Sequence, residues 1–104
     1  LVTLQSAIIS LIGGDIMKKY IFIVDAHKNL SNIRAQIENL NKDKWVYFSE
    51  NILVNMTDLS KDEILSIIGL GSKDQLLIVD FNDFSLKNWR NDIDEELKIR
   101  GYYS

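Results

Sequence analysis

Asp25 ends the apolar run Tyr20-Ile21-Phe22-Ile23-Val24 and is followed two residues later by His27, the single histidine of the chain. A carboxylate held at the end of a rigid strand is a suitable oxygen ligand for magnesium, which takes few protein carboxylates and keeps several waters. A magnesium ion so held can activate a water and stabilise charge on a phosphate. Asp25 also has a plain structural use, accepting hydrogen bonds from loop amides, and a single carboxylate does not raise the catalytic use above it. His27 has the side chain suited to general-base work near neutrality. In a polar loop beside Lys28 and Asn29 it reads first as a solvated residue.

Other acids are weaker candidates. Asp80 and Asp83 form a second cluster, but the strand before them is expected to run antiparallel to the strand before Asp25, which puts them at the opposite end of the sheet. Asp58 follows a strand expected to run parallel to the first, which would bring it near Asp25; its ordinary role is in the loop before a helix. Lys18, Lys19, Lys28 and Arg34 lie in the first half of the chain, and two copies could merge them into a groove for phosphates. Their ordinary role is to solubilise the surface. Gly69-Leu70-Gly71 follows a helix instead of opening one, so it is not a phosphate loop. With no cysteine there is no disulfide, thiolate metal site or cysteine nucleophile, and the lone histidine has no identifiable serine partner.

Seven elements must position these residues. Tyr20 to Val24 is β-branched and aromatic and predicts a strand. Leu30, Ile33, Ile37 and Leu40 repeat at helical spacing, with Asn29 or Ser31 as N-cap. Trp45 to Phe48 and Ile52 to Met56 predict two strands joined by the short polar connection Ser49-Glu50-Asn51. Ser60-Lys61-Asp62-Glu63 fits a capping box opening a second helix, which Gly69 and Gly71 are expected to end in the left-handed cap conformation. Gln75 to Val79 predicts a fourth strand. Leu86, Trp89, Ile93 and Leu97 mark a last amphipathic helix whose outer face carries Asp92, Asp94, Glu95 and Glu96.

The fold class expected is α+β, a ferredoxin-like βαββαβ arrangement. Its antiparallel sheet carries two helices on one face, and a C-terminal helix follows. Right-handed crossovers are expected to set the first and third strands side by side and parallel at the centre. A sheet with one wet face should alternate apolar and polar residues. These strands are apolar at nearly every position, so the second face needs a cover. The C-terminal helix can supply part of it, and a second copy of the chain is the economical remainder; the alternative is a monomer whose two termini cap the sheet. The expected dimer interface comprises Ile21, Phe22, Ile23, Val24, Tyr47 and Leu53.

The 104 residues suggest one domain. Residues 1–16 are treated separately, as an N-terminal extension that is either non-native sequence ahead of the start-like Met17-Lys18-Lys19 or a helix with Leu4, Ile8, Leu11 and Ile12 on one face; residues 17–104 form the domain. The apolar part of the extension is too short to span a bilayer, which takes about 20 residues, and it has neither the basic start nor the cleavage site of a secretory signal. The expectation is a cytoplasmic protein with no membrane partner. A net charge of −3 lacks the basic surplus of strong nonspecific nucleic-acid binders.

The stretches YIFIVDAHKNLSNIRAQIENL, WVYFSENILVNMTDLS and DQLLIVDF, about residues 17 to 90, resemble the small CRISPR-associated adaptation protein and its SinR-type and virulence-associated D-type relatives, the SinR-type branch most of all. The resemblance implies a ferredoxin-like homodimer packed through its sheets. It also implies that Asp25 matches an acid near the dimer axis for which metal-dependent phosphodiester cleavage has been proposed in CRISPR-associated relatives. Two such acids across a twofold need a cation, a shared proton or a basic neighbour, and magnesium fits. The long basic character of nucleic-acid-binding members is not evident in this chain. The function expected is a homodimeric binding or regulatory protein without a required cofactor. The first alternative is a magnesium-dependent endoribonuclease or endodeoxyribonuclease acting through paired Asp25. The second is a phage or mobile-element protein that blocks a host protein, using the acidic helix.

Overall fold

The computed structural model describes residues 17–103, and the expectations for residues 1–16 lie outside them. Four strands, β1 (Lys18–Asp25), β2 (Val46–Ser49), β3 (Ile52–Thr57) and β4 (Gln75–Asp80), form one sheet in the order β2-β3-β1-β4. Three helices, α1 (Leu30–Glu38), α2 (Lys61–Ile67) and α3 (Asn91–Ile99), complete an α+β unit compatible with a ferredoxin-like fold. No helix among the described residues is long and apolar enough to cross a membrane.

Every neighbouring pair of strands is antiparallel. This corrects the parallel pairing expected for β1 and β3. The crossover through α1 makes β2 parallel to β1 but not adjacent to it; the tight return at Glu50 then lays β3 between them, running the other way. Ile21 pairs with Val54 of β3 and Val79 of β4, and Ile23 with Ile52 and Leu77.

Alternation along the strands divides the side chains between two faces. Tyr20, Phe22, Val24 and Leu53 point to the face carrying α1 and α2 and pack with Ile33, Ile37, Ile64 and Ile68. On the second face Val46, Phe48, Val54 and Met56 pack against Ile93, Leu97, Phe81 and Tyr102. The chain's own C-terminal segment therefore covers the half of this face that lies over β2 and β3. Tyr102 fixes that segment: it is buried, and its hydroxyl donates to the Lys44 carbonyl at 2.7 Å.

The local signals are read in part. Ser60 and Glu63 make the expected capping box, with Ser60 Oγ accepting from the Glu63 amide and Glu63 Oε1 from the Ser60 amide. Those bonds hold the Glu63 carboxyl below its usual range. The glycine cap of α2 is corrected: α2 ends at Ile67 with Ile68 extended, and neither Gly69 nor Gly71 has positive φ. The last helix is shorter than its apolar spacing indicates. Asn88 takes φ 63°, a left-handed conformation that breaks a helix, so Leu86 and Trp89 belong to the segment leading into α3.

Candidate functional site

The antiparallel pairing of β1 with β4 brings the end of β1 beside the start of β4, Asp25 opposite Gln75. Two loops therefore meet at this end of the sheet: residues 26–29, leading into α1, and residues 68–74, leading into β4. Asp74 joins them. Its Oδ2 accepts from Asn29 Nδ2 at 2.9 Å and from the Gly71 amide at 2.6 Å. Asn29 precedes α1 but makes no side-chain cap; its amide is committed to Asp74 instead. A Cβ at Gly71 would stand 2.9 Å from Asp74 Oδ2, so a larger residue there would displace that carboxylate from its two donors.

The bonds from Asn29 and then Gly71 hold the Asp74 carboxyl below its ordinary range. A carboxyl whose pKa falls on folding adds stability above its unfolded pKa and loses it as pH falls through the folded one. Acid should therefore open this clasp below the normal aspartate range. An NMR acid titration is expected to show the Gly71 amide losing its hydrogen-bonded shift in that window; a shift constant down to global unfolding would refute the clasp.

Between the two loops lies a cavity of about 470 Å³, lined by His27, Lys28 and Asn29 on one side and residues 71–74 on the other. His27 is exposed and sits in this wall. Asp25 is exposed on the second face of β1, in line with Ile21 and Ile23. Among the described residues no three acid, histidine or cysteine side chains converge as metal ligands.

The other acids lie elsewhere. Asp58 follows Thr57, which pairs with Lys18 at the start of β1. The expected proximity of Asp58 to Asp25 is corrected, because β3 runs antiparallel and carries Asp58 to the far end. Asp80 pairs with Tyr20, five residues along β1 from Asp25 or about 17 Å. It is bound to Lys61 at 3.1 Å. On α3, Asp94 pairs with Lys98, Glu96 with Arg100 and, at its start, Asp92 with Arg90. Much of the acidic face is thus matched within the chain.

The basic candidates are also spread out. Lys18 donates to the Asp58 carbonyl and Lys19 to that of Tyr102, both at the start of β1. Lys28 is at the opposite end, and Arg34 on α1 reaches the Glu50 carbonyl and lies over the Tyr47 ring. One chain does not bring these four together.

Of the six interface candidates, Phe22, Val24 and Leu53 are buried beneath α1 and α2. Tyr47 is on the same face, its hydroxyl donating to Glu38 Oε2 at 2.6 Å, and burial followed by that bond raises the phenol pKa. The chain's own helices occupy these four, which corrects their place in the expected interface. Ile21 and Ile23 remain on the second face. Leu77 and Val79, their partners on β4, lie on the same face and were not singled out from the sequence. Beyond the reach of α3, Ile23, Leu77 and Val79 are 38%, 54% and 42% exposed. β4 is also a sheet edge without proline or lysine among its six residues, so it lacks two common protections of an open edge.

No protein-family model, curated protein or solved structure matches the chain.

Proposed function

We propose that the chain is a cytoplasmic, ferredoxin-like binding or regulatory module that works as a homodimer, as its resemblance to the SinR-type proteins implies. The supporting observation is the strip of Ile23, Leu77 and Val79, set together by the strand register and left exposed by α3, with Ile21, which packs against the α3 cluster, at its border. A second copy brings an identical strip, and two such sheets can stack about 10 Å apart.

The position of α3 favours one twofold for such a dimer. An in-plane axis perpendicular to the strands would lay β2 and β3 of the second copy over those of the first, in the layer α3 already fills. An axis parallel to the strands reverses the lateral order, stacks β1 over the partner's β4, and leaves each α3 flanking the partner sheet. Like ends of β1 then meet. If the two Asp25 carboxylates approach to about 6 Å, they repel by roughly 1–3 kcal/mol between protein-surface and bulk-water dielectric values. Asp25→Asn is therefore expected to tighten the dimer about tenfold in metal-free buffer, measured by analytical ultracentrifugation. An unchanged dissociation constant would contradict this axis.

The same geometry favours a second reading, a magnesium-dependent endonuclease, because Asp25 lies on the strip's own face and at its end. Magnesium between two Asp25 side chains would relieve their repulsion and supply a Lewis acid for phosphodiester cleavage. Cleavage of RNA or DNA that is lost in Asp25→Ala and retained in Asp80→Ala would establish this reading. Magnesium-independent or Asp25-independent cleavage would reject it.

A further inference from the structure

The cavity between the two clasped loops lies within a single chain and does not depend on dimerisation. We propose that it binds a small phosphate ester, with Lys28 and Lys73 closing on the phosphate from opposite walls.

The size fits. About 470 Å³ lies in the range of roughly 300–1,000 Å³ usual for small-ligand sites. The walls are linked by the hydrogen bond from Asn29 to Asp74 Oδ2, and the Gly71 amide on the same oxygen holds the second loop in its turn. Such a link holds the site in shape before the ligand arrives, which lowers the ordering cost of binding.

The charge also fits. Each wall contributes one lysine, and among the described residues neither Lys28 nor Lys73 is in an ion pair, whereas Lys61, Arg90, Lys98 and Arg100 are. Asp74 is the lone acid of the lining, and its Oδ2 is taken up by two donors. Two cations against one carboxylate make this a locally positive site on a chain of net charge −3. Lysine binds phosphate as a mobile point charge. His27 and the Ser72 hydroxyl add hydrogen-bonding groups on opposite walls. No aromatic side chain lines the cavity, so stacking on a base has no platform. This favours a compact phosphate ester over a nucleic-acid strand, whose bases need aromatic faces.

The test uses the full chain in low-salt buffer with ribose 5-phosphate, inorganic pyrophosphate and a short single-stranded RNA as separate probes, followed by NMR amide shifts. The expected result is saturable movement of the Gly71, Ser72 and Lys28 amides with both small probes. Affinity should fall at least tenfold in Lys28→Ala/Lys73→Ala, and stay within twofold in Lys42→Ala/Lys87→Ala, which removes two exposed lysines elsewhere. The lysine pairs are surface residues, and unchanged amide spectra outside the loops verify that each variant is folded. Absence of shifts, equal weakening in both double variants, or RNA binding here without either small probe would overturn the proposal.

Discussion

Leu97→Asp is expected to strip α3 from the sheet and to be the most damaging single change on the second face. Leu97 is fully buried among Val46, Phe48, Val54 and Met56. Truncation of such a leucine to alanine alone costs about 2–5 kcal/mol. A carboxylate is worse, since no cation or donor among the residues of that cluster stands ready to receive it, and an unpaired charge does not survive in an apolar core. The cost is comparable with the whole stability of a small domain, about 5–15 kcal/mol. The expected outcome is insoluble protein or a cooperative transition lost at ambient temperature, read by thermal denaturation. A variant that melts within a few degrees of the parent would show that α3 is not what covers this half of the sheet.

Asn55→Asp is the second large effect, and it acts on the opposite face. Asn55 is fully buried on β3. Its Nδ2 donates to the Ile37 carbonyl near the end of α1 at 2.8 Å, and its Oδ1 accepts from the Met56 amide at 2.8 Å. No buried side-chain nitrogen or oxygen among the described residues lacks a partner. The substitution keeps the shape but exchanges the donor for an acceptor facing a carbonyl, and adds a charge. An uncompensated buried charge costs about 3–5 kcal/mol. The sign of its pH dependence follows from burial, which raises a carboxyl's pKa in the folded state. The deficit grows as pH rises above the unfolded pKa and shrinks as pH falls, because the protonated acid again offers a donor. Urea denaturation of the variant and the parent at pH 4 and pH 7 checks this. A deficit equal at both pH values would contradict the burial of the introduced acid.

The two changes show how the sequence signals divide. The strands were legible because each is a short β-branched or aromatic run between polar turns, and α2 because its capping box is a local signal. The continuous apolar character of Val46 to Phe48 is met by cover on both faces, whereas that of Ile21 to Val24 is met in full only on the helix side, with Ile23 exposed. It did not say which residue met which cover, because that depends on register. Phe22 and Ile23 are equally apolar; one lies beneath helices and the other faces out. The direction of β3 was misread because the crossover rule governs β1 and β2, and the hairpin that follows reverses the chain. That one reversal sent Asp58 to the far end of the sheet.

The clasp at Asp74 was harder to see. Asn29 and Asp74 are 45 residues apart, and Asn29 carries an ordinary capping signature that the fold does not use. The antiparallel direction of β4 was the available clue, since it makes the end of β1 and the start of β4 neighbours. The break before α3 was not legible either: Leu86, Trp89, Ile93 and Leu97 keep helical spacing, and a left-handed Asn88 interrupts the backbone without disturbing the pattern of side chains.

The proposed association of two sheets through the strip that α3 leaves exposed is tested most directly by the mass of residues 17–104 in solution, measured by light scattering across a concentration series beside Leu77→Lys. Leu77 is the most exposed member of the strip, and a lysine there would meet apolar surface in the dimer while remaining solvated in a monomer. The parent is expected at twice the mass of one chain and the variant at the mass of one chain, with the same melting temperature extrapolated to low concentration. A parent that stays at the mass of one chain throughout the series would contradict the dimer and the paired Asp25 site with it.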